Sequence, residues 1–421
     1  MLAGLLNFKK GFYMFLFFRV VLVTNIALIV VPGIPLLTLE VCMTMFYLGV
    51  FFQKKTNLIL ERVDFPFKKP FQLIVISYLL STIFAYAGFS VAFSAYIGQM
   101  ISEFAFTWLM WRIIDRRDVV FLVLGFTFVY LLTCIYGFYE KSTFSNPLMI
   151  YEQSLMGNSD RTIDFTSEGD EYRGYRVQSF FESAIGAGIN WGMYIIFSLS
   201  ILFLYKLKIK KTSKMLIILA SVCCIPCVFF ANSRSSIVFL LIGILSLFDL
   251  KNYKFYLRAL VIAMIIPIIV PFFSDYTDNF LSLFDTKAQA RVGGSNADMR
   301  LDQLAAALSV MANSPIVGLG YKFMNVMNTK SVAALLGLES MWFQILTQFG
   351  ILGTLANIYL AYYALLKVPK RFKSQPLFFF SLAYWLTASL TSVPGMKMYF
   401  YYFIIIVFIK LSSVYQKEIN C

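Results

Sequence analysis

Three residues stand in surroundings suited to chemistry. Arg234 lies in FFANSRSSIVFLLIG, between two apolar runs, with Asn232, Ser233, Ser235 and Ser236 around it. Small hydrogen-bonding neighbours leave room for a ligand, and a guanidinium keeps its charge and offers a planar donor fork suited to phosphate or diphosphate. The same residue also reads as a snorkelling anchor for a hairpin. Arg300 falls in the first turn of an expected amphipathic helix. Asp298 serves as its N-cap, Leu301, Leu304, Ala305, Leu308 and Met311 share one face, and Asn313-Ser314-Pro315 ends it. Glu339 opens ESMWFQILTQFGILG, where a polar segment meets an apolar run. Partial desolvation there raises a carboxylate towards the range of a general base. A helix N-terminus would instead favour its charged form, so the two readings differ in sign.

Other chemistries are excluded or reduced. The chain has no histidine, which removes His-based triads, His metal sites and imidazole proton shuttles. Cys42, Cys134, Cys223, Cys224 and Cys227 fall inside apolar segments and Cys421 is terminal. They read as packing residues rather than a disulfide framework or zinc site, so neither metal nor cofactor is expected. Arg19, Glu40 and Glu103 lie in apolar runs, where a charge costs a few kcal/mol. Mutual pairing and a substrate role weigh equally for them.

The elements that must position these residues are strongly apolar. Hydrophobic residues make up 59% of the 421 and charged ones 14%, against about 25% charged in a soluble domain. A soluble globular enzyme is thereby excluded. Hydropathy predicts about twelve transmembrane helices in an all-α polytopic protein: 11–31, 33–52, 71–90, 94–114, 119–139, 181–205, 215–232, 235–250, 255–273, 341–366, 377–393 and 398–414. Lys9 and Lys10 precede the first, with no small-residue cleavage pattern after it, so an uncleaved span is expected. Most lysines and arginines then fall in alternate connections, which places both termini in the cytoplasm. The net charge of +14 is a topology signal, not a mark of a nucleic-acid partner. The other basic residues concentrate in two long outer segments, 140–180 and 274–340. The whole of 1–421 reads as one integral membrane domain carrying these two periplasmic loops.

Three ordered stretches resemble the O-antigen polymerase and ligase superfamily of bacterial envelopes: NSRSSIVFLLIGIL, MRLDQLAAALSVMANSPIVGLGY and ESMWFQILTQFGILGTL. The resemblance covers 232–355 in sequence and the whole chain in layout, and implies a GT-C-like arrangement in the inner membrane. Arg234 and Arg300 match the family arginines held to bind the lipid diphosphate. Glu339, followed by Ser340, stands where ligases carry a histidine before an asparagine. That departure points to a polymerase, which carries an acidic residue at this place. Polymerases also show Arg-x10-Gly patterns in both outer loops, a spacing absent at Arg173, Arg176, Arg291 and Arg300.

The implied reaction is metal-independent, inverting glycosyl transfer on the periplasmic face. A growing glycan on undecaprenyl diphosphate is passed to the non-reducing end of a lipid-linked repeat unit. Glu339, Arg234 and Arg300 are the expected catalytic groups, with Arg173, Arg176, Arg291, Tyr321 and Lys322 as substrate-binding candidates. Membrane lipid and a chain-length regulator are the expected partners. The alternatives are a ligase to lipid A-core and a twelve-span flippase, which would gather charge within its spans.

The topology is testable. Cysteines introduced at Lys208 and Gly294 should differ in intact cells, with Gly294→Cys labelled by a membrane-impermeant thiol reagent and Lys208→Cys protected. Labelling at position 208 would overturn the span count.

Overall fold

The computed structural model describes residues 7–21, 27–29, 37–53, 63–156, 175–205, 207–247, 297–325, 338, 340–391 and 398–415. Apart from one short antiparallel pair, the regular structure among the described residues is helical. α1 (Phe8–Val21) and α2 (Leu39–Gln53) flank that pair, β1 (Ala27–Ile29) with β2 (Leu37–Thr38). This corrects the first expected span, since 27–29 are extended rather than helical. The β-branched Ile29, Val30 and Val31, followed by Pro32, Gly33 and Pro35, disfavour continued helix.

α3 (Lys68–Ile83) ends before Gly88, whose φ of 88° breaks the expected 71–90 span. α4 (Phe89–Gln99) then runs through a π-helical turn (Met100–Ala105) into α5 (Phe106–Ile113). α6 (Val119–Thr143), α8 (Ala184–Phe203), α9 (Lys211–Phe230) and α12 (Met341–Tyr362) match four expected spans. With their helical extensions, these four are long and apolar enough to cross a membrane. α7 (Pro147–Met156) lies between α6 and α8. α10 (Arg234–Ile244), α14 (Gln375–Leu390) and α15 (Met398–Leu411) are shorter, and α11 (Ala297–Met311) is the expected outer helix. A π-helical turn (Tyr363–Lys367) and α13 (Val368–Arg371) extend α12. The expected span 255–273 lies outside the described residues.

α8 is the central post. Trp191 Nε1 donates to Thr133 Oγ1 at 3.0 Å and the Tyr194 hydroxyl to Thr127 Oγ1 at 2.9 Å, tying α8 to α6. Gly188 and Gly192 let the 231–239 stretch approach closely. α15 is buried along nearly its whole length. Lys410, in the last turn of α15, is buried. Its ammonium donates to the carbonyls of Trp111, at 2.6 Å, and Ile114 at the end of α5, where a helix terminus favours a cation.

Arg19 shows how the membrane region holds a charge. It is buried and pairs with both Glu40 and Glu103, and it donates to Ser102 O at 2.9 Å. Its guanidinium lies 4.3 Å from the Phe106 ring centre and 4.1 Å from that of Tyr399. The pairing anticipated for this residue therefore engages both carboxylates, and it anchors α1 to the π-helical turn.

α12 is not continuous. Gly350 has φ 59° and ψ −159°, which interrupts the helical ladder. A loop fills the gap. Leu319 N donates to Thr347 O at 2.9 Å and Gly320 N to Gln348 O at 2.8 Å, while Ile351 N and Leu352 N donate to Pro315 O and Ile316 O at 3.0 and 3.1 Å. In an unbroken helix the carbonyls of 347 and 348 would pair with the N–H groups of 351 and 352. Segment 315–320 supplies partners for all four. Gly318 (φ 73°) and Gly350 lie backbone to backbone, and a Cβ at either would strike the other's main chain.

Gly350→Ala should therefore lower stability by about 2–3 kcal/mol, because its backbone region is essentially closed to other residues. Gly49→Ala, where a Cβ in α2 meets open space, should be neutral or stabilise by up to ~1 kcal/mol. Thermal unfolding in detergent measures both, and an unchanged midpoint for Gly350→Ala would refute the docking.

Candidate functional site

The broken helix organises the outer-segment residues. α11 packs on α12, burying Gln303, Ala307 and Val310. Ala307 and Val310 join Leu319, Phe323 and Leu338 in a small apolar cluster. This corrects the expected inward face: Leu301 is 63% exposed and Leu308 46% exposed. The helix begins at Ala297, one residue before the expected N-cap, Asp298. Arg300 shares the Gln303–Ala307 face at i, i+3, i+7 spacing. Its Nη2 donates to Leu390 O, the last carbonyl of α14, at 3.0 Å.

The start of α12 meets the same place. Met341 N donates to Thr391 O at 3.0 Å, and Trp342 Nε1 to Ser389 Oγ at 2.7 Å. The Ser340 hydroxyl caps α12 by accepting from Trp342 N. Glu339 itself lies outside the described residues, but its neighbours Leu338 and Ser340 are both buried. Arg300 and the residues flanking Glu339 thus converge on the 389–391 end of α14.

Arg234 opens α10 and is half-buried, behind a turn in which Asn232 adopts φ 47°. The Ser233 and Ser235 hydroxyls lie 2.8 Å apart, and Ser236 Oγ donates to Ile185 O at 3.3 Å. α10 packs on both α8 and α14. Arg176 joins this hairpin, its Nε donating to Ala231 O at 3.4 Å, beside a Val177 N to Phe230 O bond at 3.0 Å.

The remaining candidates separate. Tyr321 is buried among Tyr78, Tyr96 and Phe349, and its hydroxyl donates to Gln99 Oε1. Burial pushes its phenol up, so it stays protonated. Lys322 is exposed, with φ 62°. Arg173 and Arg291 lie outside the described residues. Cys224 and Cys227 are buried, and Cys134 Sγ lies 3.4 Å from Cys224 Sγ.

Two carboxylates escaped the sequence reading. Glu182 precedes the α8 N-cap, Ser183, and lies within electrostatic reach of Tyr399. Glu140 is buried near the end of α6. It accepts from Gln178 N at 3.1 Å, Ser179 N at 2.6 Å and the Tyr175 hydroxyl at 3.0 Å. Burial and the adjacent Glu140 carboxylate push the Tyr175 phenol up, which keeps it a donor. Glu140 thus fixes the strand of chain that carries Arg176. Its signal in the sequence was slight, a lone carboxylate directly after an apolar run.

These features define a multi-pass, predominantly helical membrane protein with Arg176, Arg234 and Arg300 at helix ends and turns. Residues 219–358 match the O-antigen ligase family model, consistent with the O-antigen polymerase and ligase superfamily. The matched stretch takes in Arg234, Arg300, the glycine turn, Glu339 and the break at Gly350. Among curated proteins, none matches the chain.

Glu140→Gln keeps one acceptor oxygen and should turn its amide donor towards the backbone N–H of either Gln178 or Ser179. The expected cost is about 1–3 kcal/mol, with faster hydrogen exchange across 175–179. Unchanged exchange there would remove Glu140 as the organiser of that segment.

Proposed function

We propose that the protein is a polysaccharide polymerase, acting on glycan carried by undecaprenyl diphosphate at the outer face of the inner membrane. The observation that carries this reading is the convergence of Arg300 and the segment opening α12 on the 389–391 end of α14. The family match supports glycosyl transfer, and a glutamate at 339 in a chain without histidine favours polymerase over ligase. The ligase reading keeps one support, the description of the matched family itself. The comparisons lend nothing to a flippase.

In this reading an acceptor hydroxyl oxygen attacks the anomeric carbon of the donor glycan. The bond to the lipid diphosphate breaks and its electron pair leaves with the diphosphate. Arg234 and Arg300 stabilise the charge that develops there, as fixed donors in a partly dry site do. Arg176, held at the Ala231 turn, and the candidates Arg173 and Arg291 belong to the same anion-binding set. Glu339 takes the proton of the acceptor hydroxyl, and direct displacement inverts the anomeric centre. The twelve-span layout with loops 140–180 and 274–340 facing the periplasm belongs to this proposal.

Purified protein supplied with lipid-linked repeat units tests it. Wild type should make polymer. Glu339→Gln, which keeps shape but cannot accept the proton, should lose about 10²–10⁴-fold in rate. Arg234→Lys, which keeps charge but loses the fork, should lose about 10²-fold or more, whereas Arg161→Ala should be nearly silent. In cells, Glu339→Gln should leave single repeat units on lipid A-core. Polymer stranded on the lipid carrier, with bare core, would establish a ligase instead. Wild-type rates from purified Glu339→Gln would remove Glu339 as the base.

A further inference from the structure

A second basic site lies at the opposite end of α12 from the 389–391 convergence. The π-helical turn Tyr363–Lys367, α13 and the start of α14 border an open groove of about 890 Å³. Lys367, Lys370, Arg371 and Lys373 line it, and all four are exposed. Leu366 and Phe378 form an apolar wall beside them.

Several features make this a built site rather than a scatter of charge. No aspartate or glutamate occurs anywhere from Ser340 to Lys417, so this stretch of chain supplies no counter-charge to the four cations. Lys69, at the start of α3, adds its field at Tyr363. Lys367 is held in place, its ammonium donating to the Tyr363 hydroxyl at 2.7 Å and lying 4.3 Å from that ring's centre. Lys373 adopts φ 47°, a left-handed conformation uncommon outside glycine, where the chain turns to let Ser374 cap α14. A general excess of inner-side lysine explains the sign of these charges. It does not explain a cationic rim around an apolar wall, with Leu366 53% and Tyr362 48% exposed.

We infer that this groove binds an anionic phospholipid, with the headgroup phosphate among Lys367, Lys370, Arg371 and Lys373 and an acyl chain along Leu366 and Phe378. Charge complementarity selects an anion. The apolar wall selects an amphiphile over free phosphate, which would leave that wall uncovered. The site is independent of the glycosyl-transfer reading, because none of its residues belongs to that machinery.

Native mass spectrometry of the full-length protein, released from vesicles of phosphatidylglycerol and phosphatidylcholine in equal parts, tests the inference. Wild type should retain phosphatidylglycerol over phosphatidylcholine. The exposed quadruple substitution Lys367→Gln, Lys370→Gln, Arg371→Gln and Lys373→Gln should cut that retention about ten-fold or more. Removing as many charges elsewhere, by Lys208→Gln, Lys210→Gln, Lys211→Gln and Lys214→Gln, should leave it unchanged. Equal losses from the two quadruple variants would reduce the effect to general electrostatics and overturn the site. Equal retention of the two lipids by wild type would also overturn it. Displacement of the retained lipid by inorganic phosphate would assign a small-anion site and refute the phospholipid. The 208–214 variant also shows whether loss of four inner charges disturbs folding or insertion. Should the 367–373 variant alone fail to insert, Lys370→Gln with Lys373→Gln replaces it, and undiminished retention there overturns the proposal.

Discussion

The candidate site depends on one exchange of hydrogen bonds. A helix broken inside apolar surroundings strands its carbonyls and N–H groups, each costly to leave unpaired where water is absent. At Gly350 the cost is offset by another stretch of main chain, the 315–320 turn, which accepts and donates in the pattern the helix has lost. Ser81 Oγ reinforces the join by donating to Gln348 O at 2.7 Å, and Tyr86 N donates to Leu319 O at 2.9 Å. α3, the outer turn and both halves of α12 are thereby fastened together. α11 follows, because its packed face rests on residues that the turn positions, and Arg300 is carried with it.

The charged residues sort by how they are satisfied. Arg19 is shared between Glu40 and Glu103 beside aromatic rings, and Lys410 is absorbed by helix-end carbonyls. Glu140 is consumed by backbone donors. Each supports the fold, and removing one partner of such a buried set is far costlier than the set's net contribution. Arg300, Arg234 and Arg176 differ in position, since they stand at helix ends and turns rather than within the helical bundle.

The sequence made the long elements legible and their breaks obscure. α6, α8, α9 and α12 follow from length and apolarity, and α11 from its period. The inward face of α11 was misjudged because period identifies an apolar stripe without saying what covers it. The Gln303, Ala307, Val310 side offers small residues that admit close packing against the glycine turn, while Leu301 and Leu308 stay outside. Gly350 was hidden because a glycine in QFGILG looks like an ordinary tolerated helical glycine. Its role depends on a partner some thirty residues earlier, which no local pattern records. Glu140 and its partners Tyr175, Gln178 and Ser179 were likewise separated in sequence by residues that carry no sign of their meeting. Glu339, Arg173 and Arg291 lie outside the described residues, so the pattern of residue types remains their only guide.

The break in α12 also serves as a ruler. From Ile351 to Leu366, the last apolar residue before the basic end, the helix rises about 24 Å at 1.5 Å per residue. A bilayer's hydrocarbon is about 30 Å thick. Measured from the basic end, Gly350 therefore falls several ångströms short of the far surface, and the 315–320 turn that meets it must dip below the headgroups. In the proposed topology, the 315–320 turn would then be partly embedded rather than floating in the aqueous compartment. Leu301, Leu308 and Ile316, exposed to 63%, 46% and 60%, would rest on acyl chains. In the proposed reading, Arg300 would then lie near the height of the lipid phosphates, within lateral reach of a substrate tethered to a membrane lipid.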